Sequence, residues 1–131
     1  PQFTPPPFDA AAELGIPTVP EELGYSSPFQ DGMNYRFSIC GNVVVDDGKA
    51  VVYLTNPIEN TVWLKVRLLA ADGTLLGETG LIRPGEYVRT VDLTTVPAPG
   101  SQIQLKIMGY EPETYQSAGS VTLNTVIGTL P

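Results

Sequence analysis

The chain has no histidine and only one cysteine among its 131 residues. Without histidine, a serine or cysteine nucleophile lacks its usual general base, and zinc lacks one of its two commonest ligands. A lone cysteine cannot form an internal disulfide. Cys40 lies beside Gly41 after an apolar strand and has no basic neighbour in sequence, so we predict a buried structural thiol. No glycine-rich phosphate-binding fingerprint occurs.

Basic residues are scarce and unevenly placed. Lys and Arg number 7 against 14 Asp and Glu, which gives a net charge of −7, and residues 1–32 contain no Lys or Arg. An acidic chain without a basic stripe is repelled by phosphate backbones, so we expect no nucleic-acid partner. No apolar run approaches the roughly 20 residues that cross a bilayer, so we expect no direct membrane insertion. The first residues also lack the basic start and apolar stretch of a signal peptide, which indicates a mature form or a chain that is not exported.

The composition divides the chain into residues 1–32 and 33–131. The first part holds seven of the thirteen prolines and is predicted to be an acidic, proline-rich arm with short helical turns. One turn would begin after Asp9 and end at Gly15. The other would use Thr18–Glu21 as a capping box and Gly24 as its stop.

The second part shows a period of two from Met33 onwards, which is typical of half-buried strands. Turn signals such as Asp47-Gly48, Asp72-Gly73 and Pro84-Gly85 separate the strands about every 8–12 residues. The pattern predicts an all-β fold: an antiparallel, Ig-like β-sandwich of seven to eight strands with a proline-rich N-terminal arm.

Carboxylates are the remaining candidates for metal or catalytic chemistry. Asp46 with Asp47, and Glu111 with Glu113, could offer oxygen ligands to calcium. Asp before Gly is also ordinary turn chemistry, and Glu beside Pro is typical of a solvated loop. A carboxylate pair that cleaves glycosides needs a substrate cleft, which a small sandwich rarely encloses. We therefore predict no metal site, no cofactor and no enzymatic activity.

Three segments carry a resemblance to a known family: LTNPIEN, KVRLLAADGTLLGETGLIRPGEYV and GYEPET. With an Asn-Pro turn, an Asp-Gly hairpin, a GLIRPG corner and a late Tyr-Glu-Pro-Glu-Thr loop in this order, residues 33–128 resemble small sandwich domains from exported proteins of Gram-positive bacteria, especially gut species. The activity of that family is largely unassigned. The resemblance implies a β-sandwich in an extracellular or cell-surface protein, in its mature form.

One surface of the predicted sandwich combines aromatic and basic side chains. In the predicted strands 61–70 and 101–110, every second residue is apolar and is assigned to the core: Val62, Leu64, Val66, Leu68, Ile103, Leu105 and Ile107. An Ig-like order makes these strands neighbours in one sheet. We call the surface formed by their other side chains the Trp63 face; its members are Trp63, Lys65, Arg67, Lys106, Met108 and Tyr110.

Three interpretations of the Trp63 face are open from the sequence. Trp63 could be covered by its own chain or stack under Lys106 in a cation–π contact. The face could bind a protein, because aromatic residues, Met and Arg are enriched in interfaces. It could also bind a glycan through Trp63 and Tyr110. The leading hypothesis is a non-catalytic extracellular module for cell-surface assembly or adhesion, whose partner is itself or another surface protein; the alternative is a carbohydrate-binding module.

The arm opens with PQFTPPPF, in which Phe3 and Phe8 are apolar anchors. A polyproline segment is already extended, so docking it loses little conformational entropy. Aromatic-lined surfaces bind such segments, and an acidic arm complements a basic surface. We predict that the arm packs on the Trp63 face, either of its own sandwich or of a neighbour's, and we count Phe3 and Phe8 among the partner-binding residues.

Overall fold

The computed structural model describes residues 6–25, 30–31 and 35–129, which therefore exclude Phe3 and Met33. This part of the chain is all-β and has no α-helix. Its only helical element is a 3-10 turn at Glu21–Leu23. The strands are β1 Glu13–Leu14, β2 Gln30–Asp31, β3 Arg36–Phe37, β4 Val43–Asp46, β5 Lys49–Asn56, β6 Trp63–Ala70, β7 Leu75–Glu78, β8 Glu86–Asp92, β9 Gln102–Tyr110 and β10 Ser117–Gly128. No helix in these ranges has the length and apolar character that crossing a bilayer requires.

Eight of these strands form one curled, mixed sheet in the order β1-β8-β5-β4-β10-β9-β6-β7. The pair β4–β10 is parallel, with Ile127 opposite Val43, and the other neighbours in this sheet are antiparallel. The sheet curls back on itself where Gly77 of the last strand, β7, bridges to Leu93, just after β8, the strand next to β1. The short strands β2 and β3 pair separately. The prediction of a fold built from β-strands is confirmed.

The hairpin between β4 and β5 follows directly from its turn residues. Asp47 has φ 54° and Gly48 φ 75°, and two consecutive positive φ values match the twist of a two-residue hairpin. Asp46 pairs with Lys49 across the turn, as the Asp-Gly signal predicts.

The main core lies inside the curl of the sheet. All seven side chains that alternation assigns to the core, four on β6 or just before it and three on β9, are at most 2% exposed, so this prediction is confirmed. A smaller cluster of Leu23, Cys40, Val44 and Val51 lies on the other surface of β4 and β5. Cys40 is fully buried there, as predicted, and burial raises the pKa of its thiol to about 12.

Of the two helical turns predicted in the arm, the structure forms the second, as the 3-10 turn Glu21–Leu23, and replaces the first by a turn and a strand. The Asp9 carboxylate accepts a hydrogen bond of 2.8 Å from the amide of Ala11. The chain then enters β1, which pairs with the edge of β8. The predicted helical turn from Asp9 to Gly15 is therefore wrong. In the second turn, Gly24 is the left-handed C-cap at φ 65°, as predicted, but the N-cap is Pro20 without a side-chain cap, so the predicted capping box is wrong.

The path of residues 6–25 connects two surfaces of the sheet. Phe8 forms a parallel bridge with Leu81, and β1 runs along the edge of β8. Farther on, Leu23 packs with Val44 on the outer surface of β4 and β5. This segment thus passes from the β6 side, around the β8 edge, to the β4–β5 side.

Candidate functional site

Strands β6 and β9 are antiparallel neighbours, as predicted, and bring together the two halves of the Trp63 face. Trp63 lies opposite Tyr110, Lys65 opposite Met108, and Arg67 opposite Lys106. Side chains that are directly opposite on one face of an antiparallel pair are in contact range. Of these six, Lys65 is buried and the other five are half-buried.

The two basic side chains of β6 share one carboxylate of the same chain, that of Glu78. Lys65 is only 5% exposed, and its Nζ lies 2.5 Å from Oε1 of Glu78 on β7. Arg67 Nε donates to the same oxygen at 3.2 Å. Partial burial acts to raise the pKa of Glu78, but the hydrogen bonds and charges of Lys65 and Arg67 together lower it. The prediction that Lys65 is an accessible contact residue is therefore wrong, because β7 places a carboxylate over it.

The aromatic end of the Trp63 face is covered in part by residues of the same chain. The Phe8 ring meets Trp63 with centroids 4.7 Å apart at 72°, and Tyr115 meets it at 5.4 Å and 62°. The guanidinium carbon of Arg83 lies 3.6 Å from the Phe8 ring centroid, which is a close cation–π geometry. Phe8 therefore sits between an indole and a guanidinium group.

The backbone on both sides of Phe8 pairs with the segment that follows β7. The Leu81 amide donates to the Pro7 carbonyl at 2.8 Å, and the Asp9 amide donates to the Leu81 carbonyl at 2.9 Å. The Gly80 amide donates to Oδ2 of Asp9 at 2.9 Å. These bonds hold the extended chain in parallel register beside Leu81.

Gly80 makes this approach possible. A Cβ at this position would lie 2.6 Å from the Asp9 nitrogen and 2.8 Å from the Phe8 carbonyl carbon, far inside van der Waals contact with a backbone. We call residues 6–14 the arm segment. We call the surface that binds the arm segment, formed by Trp63, Gly80, Leu81 and Arg83 with the edge of β8, the arm site.

Sequence reasoning found Phe8 and Trp63 but missed Gly80, Leu81, Arg83 and Tyr115. Leu81 takes part through backbone groups, which leave no side-chain signature. Gly80 opens the GLIRPG corner and precedes an apolar pair, and a glycine next to strand residues often marks a close backbone approach. That was the one available signal.

Asp46 and Asp47, which the sequence offers as calcium ligands, form an ion pair and a hairpin turn, respectively. Asp46 Oδ2 lies 3.6 Å from Arg89 Nη2, and Arg89 also donates to the Tyr53 hydroxyl at 3.1 Å. Asp47 occupies the hairpin turn. Across the ranges that the structure covers, no three acidic, Cys or His side chains are grouped as metal ligands.

An apolar groove lies next to the arm segment. Leu14, Ile16 and Ile58 are 82, 71 and 76% exposed and line a cavity of about 330 Å³ together with Pro57 and Pro84. We call it the Ile58 groove. Exposed apolar side chains that cluster in this way mark interaction surfaces more often than single exposed ones do.

The arm site offers backbone amides, aromatic rings and a guanidinium group, which is the chemistry of recognition. No protein-family model, curated protein or solved structure matches the chain.

Proposed function

We propose that the chain is a non-catalytic extracellular module for cell-surface assembly or adhesion, and that its arm site binds an extended protein segment. The observation that carries the proposal is the arm segment itself. It is held by two backbone bonds to Leu81 and by the Phe8 ring between Trp63 and Arg83. A surface that binds one such segment has the chemistry to bind another.

The fold we propose for the module is an Ig-like β-sandwich. The strands β4, β5 and β8 would form one half and β10, β9, β6 and β7 the other, and β4 pairs with both β5 and β10. Assigned in chain order, these strands would correspond to the A, B and E strands and to the G, F, C and C′ strands of an Ig-like domain. The extracellular location rests on the resemblance given by the sequence motifs.

The contacts define which segment would fit. Backbone pairing with Leu81 supplies affinity for any extended chain, while side-chain pockets supply selectivity. The pocket between Trp63 and Arg83 selects an aromatic ring, and the Gly80 amide selects a carboxylate directly after it. The favoured ligand is therefore an extended segment with an aromatic–acidic pair such as Phe8-Asp9.

Ring geometry does not favour the carbohydrate-binding alternative. Phe8 and Tyr115 meet Trp63 edge-on, at 72° and 62°, so the three rings do not form a flat platform. A sugar that stacks on Trp63 would have to compete with Phe8 for the indole.

Calorimetry on a full-length chain with a weakened arm segment tests the proposal. Phe8→Ala with Asp9→Ala removes the ring contact and the carboxylate bond but leaves the arm site intact. We expect a synthetic peptide of residues 4–14, TPPPFDAAAEL, to bind this chain saturably. The same peptide with Phe8 and Asp9 replaced by Ala is the matched control and should bind far more weakly, because only the backbone pairing with Leu81 remains. Absence of peptide binding, or Trp63-dependent binding of a soluble polysaccharide by the wild-type chain, would overturn the proposal.

A further inference from the structure

We propose that the segment bound at the arm site in an assembly is the arm segment of a second copy of this chain. Copies would then join by exchange of residues 6–14. This inference rests on the proposed function and names its partner. The contacts at Leu81, Trp63 and Gly80 are the same whichever copy supplies Phe8 and Asp9.

The chain after the arm segment is built as a hinge. Gly15 has φ +110°, and Pro17 and Pro20 have no amide hydrogen to donate to a sheet. Ile16, Thr18 and Pro20 are exposed. Val19 already packs against the cluster that holds Leu23, so the free stretch is residues 15–18. Four extended residues reach about 14 Å at most, so the arm segment can leave its own site without disturbing Val19 or Leu23.

The two attachment points lie on different surfaces of the sheet. The chain is fixed again at Val19 and Leu23, which pack on the outer surface of β4 and β5. The arm site is at Trp63, on the outer surface of β6. A copy would give its arm segment from one surface and receive its neighbour's on the other. One-way exchange of this kind is heterologous and runs head to tail, whereas reciprocal exchange between two copies closes a dimer.

The Ile58 groove provides an independent reason for a second copy. Leu14 and Ile16 flank the hinge at Gly15, and both are exposed beside Ile58. When the arm segment crosses to a neighbour, the groove lies at the junction between the two copies. Contact there would remove the exposed apolar side chains from water, and we assign the groove to this junction.

Competition from the chain's own arm segment sets when exchange occurs. A short flexible link holds the arm segment at an effective concentration of about 1 mM around its own arm site. Dividing this concentration by a docked-to-released ratio of about 100 within one chain gives a Kd of about 10 µM for the same contact between two chains. The wild-type chain is then monomeric at micromolar concentration and exchanges at the high local concentration of a crowded surface.

Mixing two complementary full-length variants tests the exchange. One is Phe8→Ala with Asp9→Ala, whose weakened arm segment competes less strongly for an intact arm site. The other is Gly80→Ala, whose arm segment is intact and whose arm site is blocked by the added Cβ. We expect each variant alone to be monomeric and the mixture to form a 1:1 heterodimer by light scattering, half-formed at about 10 µM. A mixture that stays monomeric at about 200 µM overturns the inference.

Two further measurements separate the possible failures. If the peptide of residues 4–14 binds but the mixture stays monomeric, the exchange is wrong and the proposed function stands. If the peptide fails to bind as well, both are wrong. Ile58→Ser in both variants should weaken the heterodimer about tenfold, since burial of one isoleucine contributes at least that much. The affinity of a peptide of residues 4–13, which lacks the groove residue Leu14, should be unchanged. An unchanged heterodimer would remove the groove from the junction.

Discussion

Replacing Gly80 by Ala should release the arm segment while the sheet stays folded. The added Cβ would lie 2.6 Å from the Asp9 nitrogen and 2.7 Å from its Cα, so the backbone of the arm segment must move away. Three hydrogen bonds then break: the two with Leu81 and the one from the Gly80 amide to Asp9. At about 0.5–1.5 kcal/mol each, their loss weakens docking by about 3 kcal/mol, or roughly 150-fold in the docked-to-released ratio.

Trp63 reports this release because it is the only tryptophan and because it contacts Phe8. We expect the Gly80→Ala chain to show red-shifted emission and stronger quenching by acrylamide, with an unchanged far-ultraviolet circular dichroism spectrum. Gly128→Ala is the matched control, since its Cβ would meet nothing nearer than 3.6 Å. Emission from Gly80→Ala that is identical to the wild type would show that the arm segment is not released.

Further predictions concern the core, the ion pair and the thiol. Leu64→Ala should lower the free energy of unfolding, measured with urea, by about 2–5 kcal/mol. Trp63→Ala should lower it clearly less, because Leu64 is fully buried and Trp63 is not. Equal losses would contradict the assignment of the two side chains to opposite faces of β6. Glu78→Gln should lower the free energy of unfolding by about 1–3 kcal/mol at pH 7, because it leaves buried Lys65 without its counter-charge. This range lies between the values for exposed and for buried ion pairs. The pKa of Glu78 is lowered from 4.5, so its stabilisation is present above that pH and is lost as pH falls through the folded-state value. A difference in urea midpoint between wild type and Glu78→Gln that persists unchanged at pH 3 would contradict this. Cys40, with a pKa of about 12, should react slowly with a thiol reagent in the native state and rapidly in urea; rapid native labelling would contradict its burial.

Alternation in the sequence was enough to predict the inside of the fold. On β6 and β9, apolar residues at every second position fixed which side chains enter the core, and the prediction that the strands are neighbours also held. The same alternation could not predict what covers the outer face. Lys65 is buried by Glu78, and that contact depends on the pairing of β6 with β7, which shifts register between Leu68 and Leu69. Such a shift leaves no local pattern.

The arm shows a similar limit of local reasoning. An Asp that accepts the amide two residues later can begin either a helix or a turn, because the side-chain chemistry is the same. In this chain Glu13 and Leu14 pair with the edge of β8, and this pairing stabilises a strand instead of a helix. The anchoring role of Phe8 could be predicted from its proline-rich context. Gly80 matters because it lets the backbone at Asp9 come close, and Asp9 lies 71 residues away in the sequence.

The most direct test of the arm site is a nuclear Overhauser measurement on the dilute, full-length wild-type chain. We expect cross-peaks between the Phe8 ring protons and the Trp63 indole, together with slow hydrogen exchange of the Asp9 and Leu81 amides, which are bonded across the site. Absence of these cross-peaks, with fast exchange of both amides, would contradict this expectation.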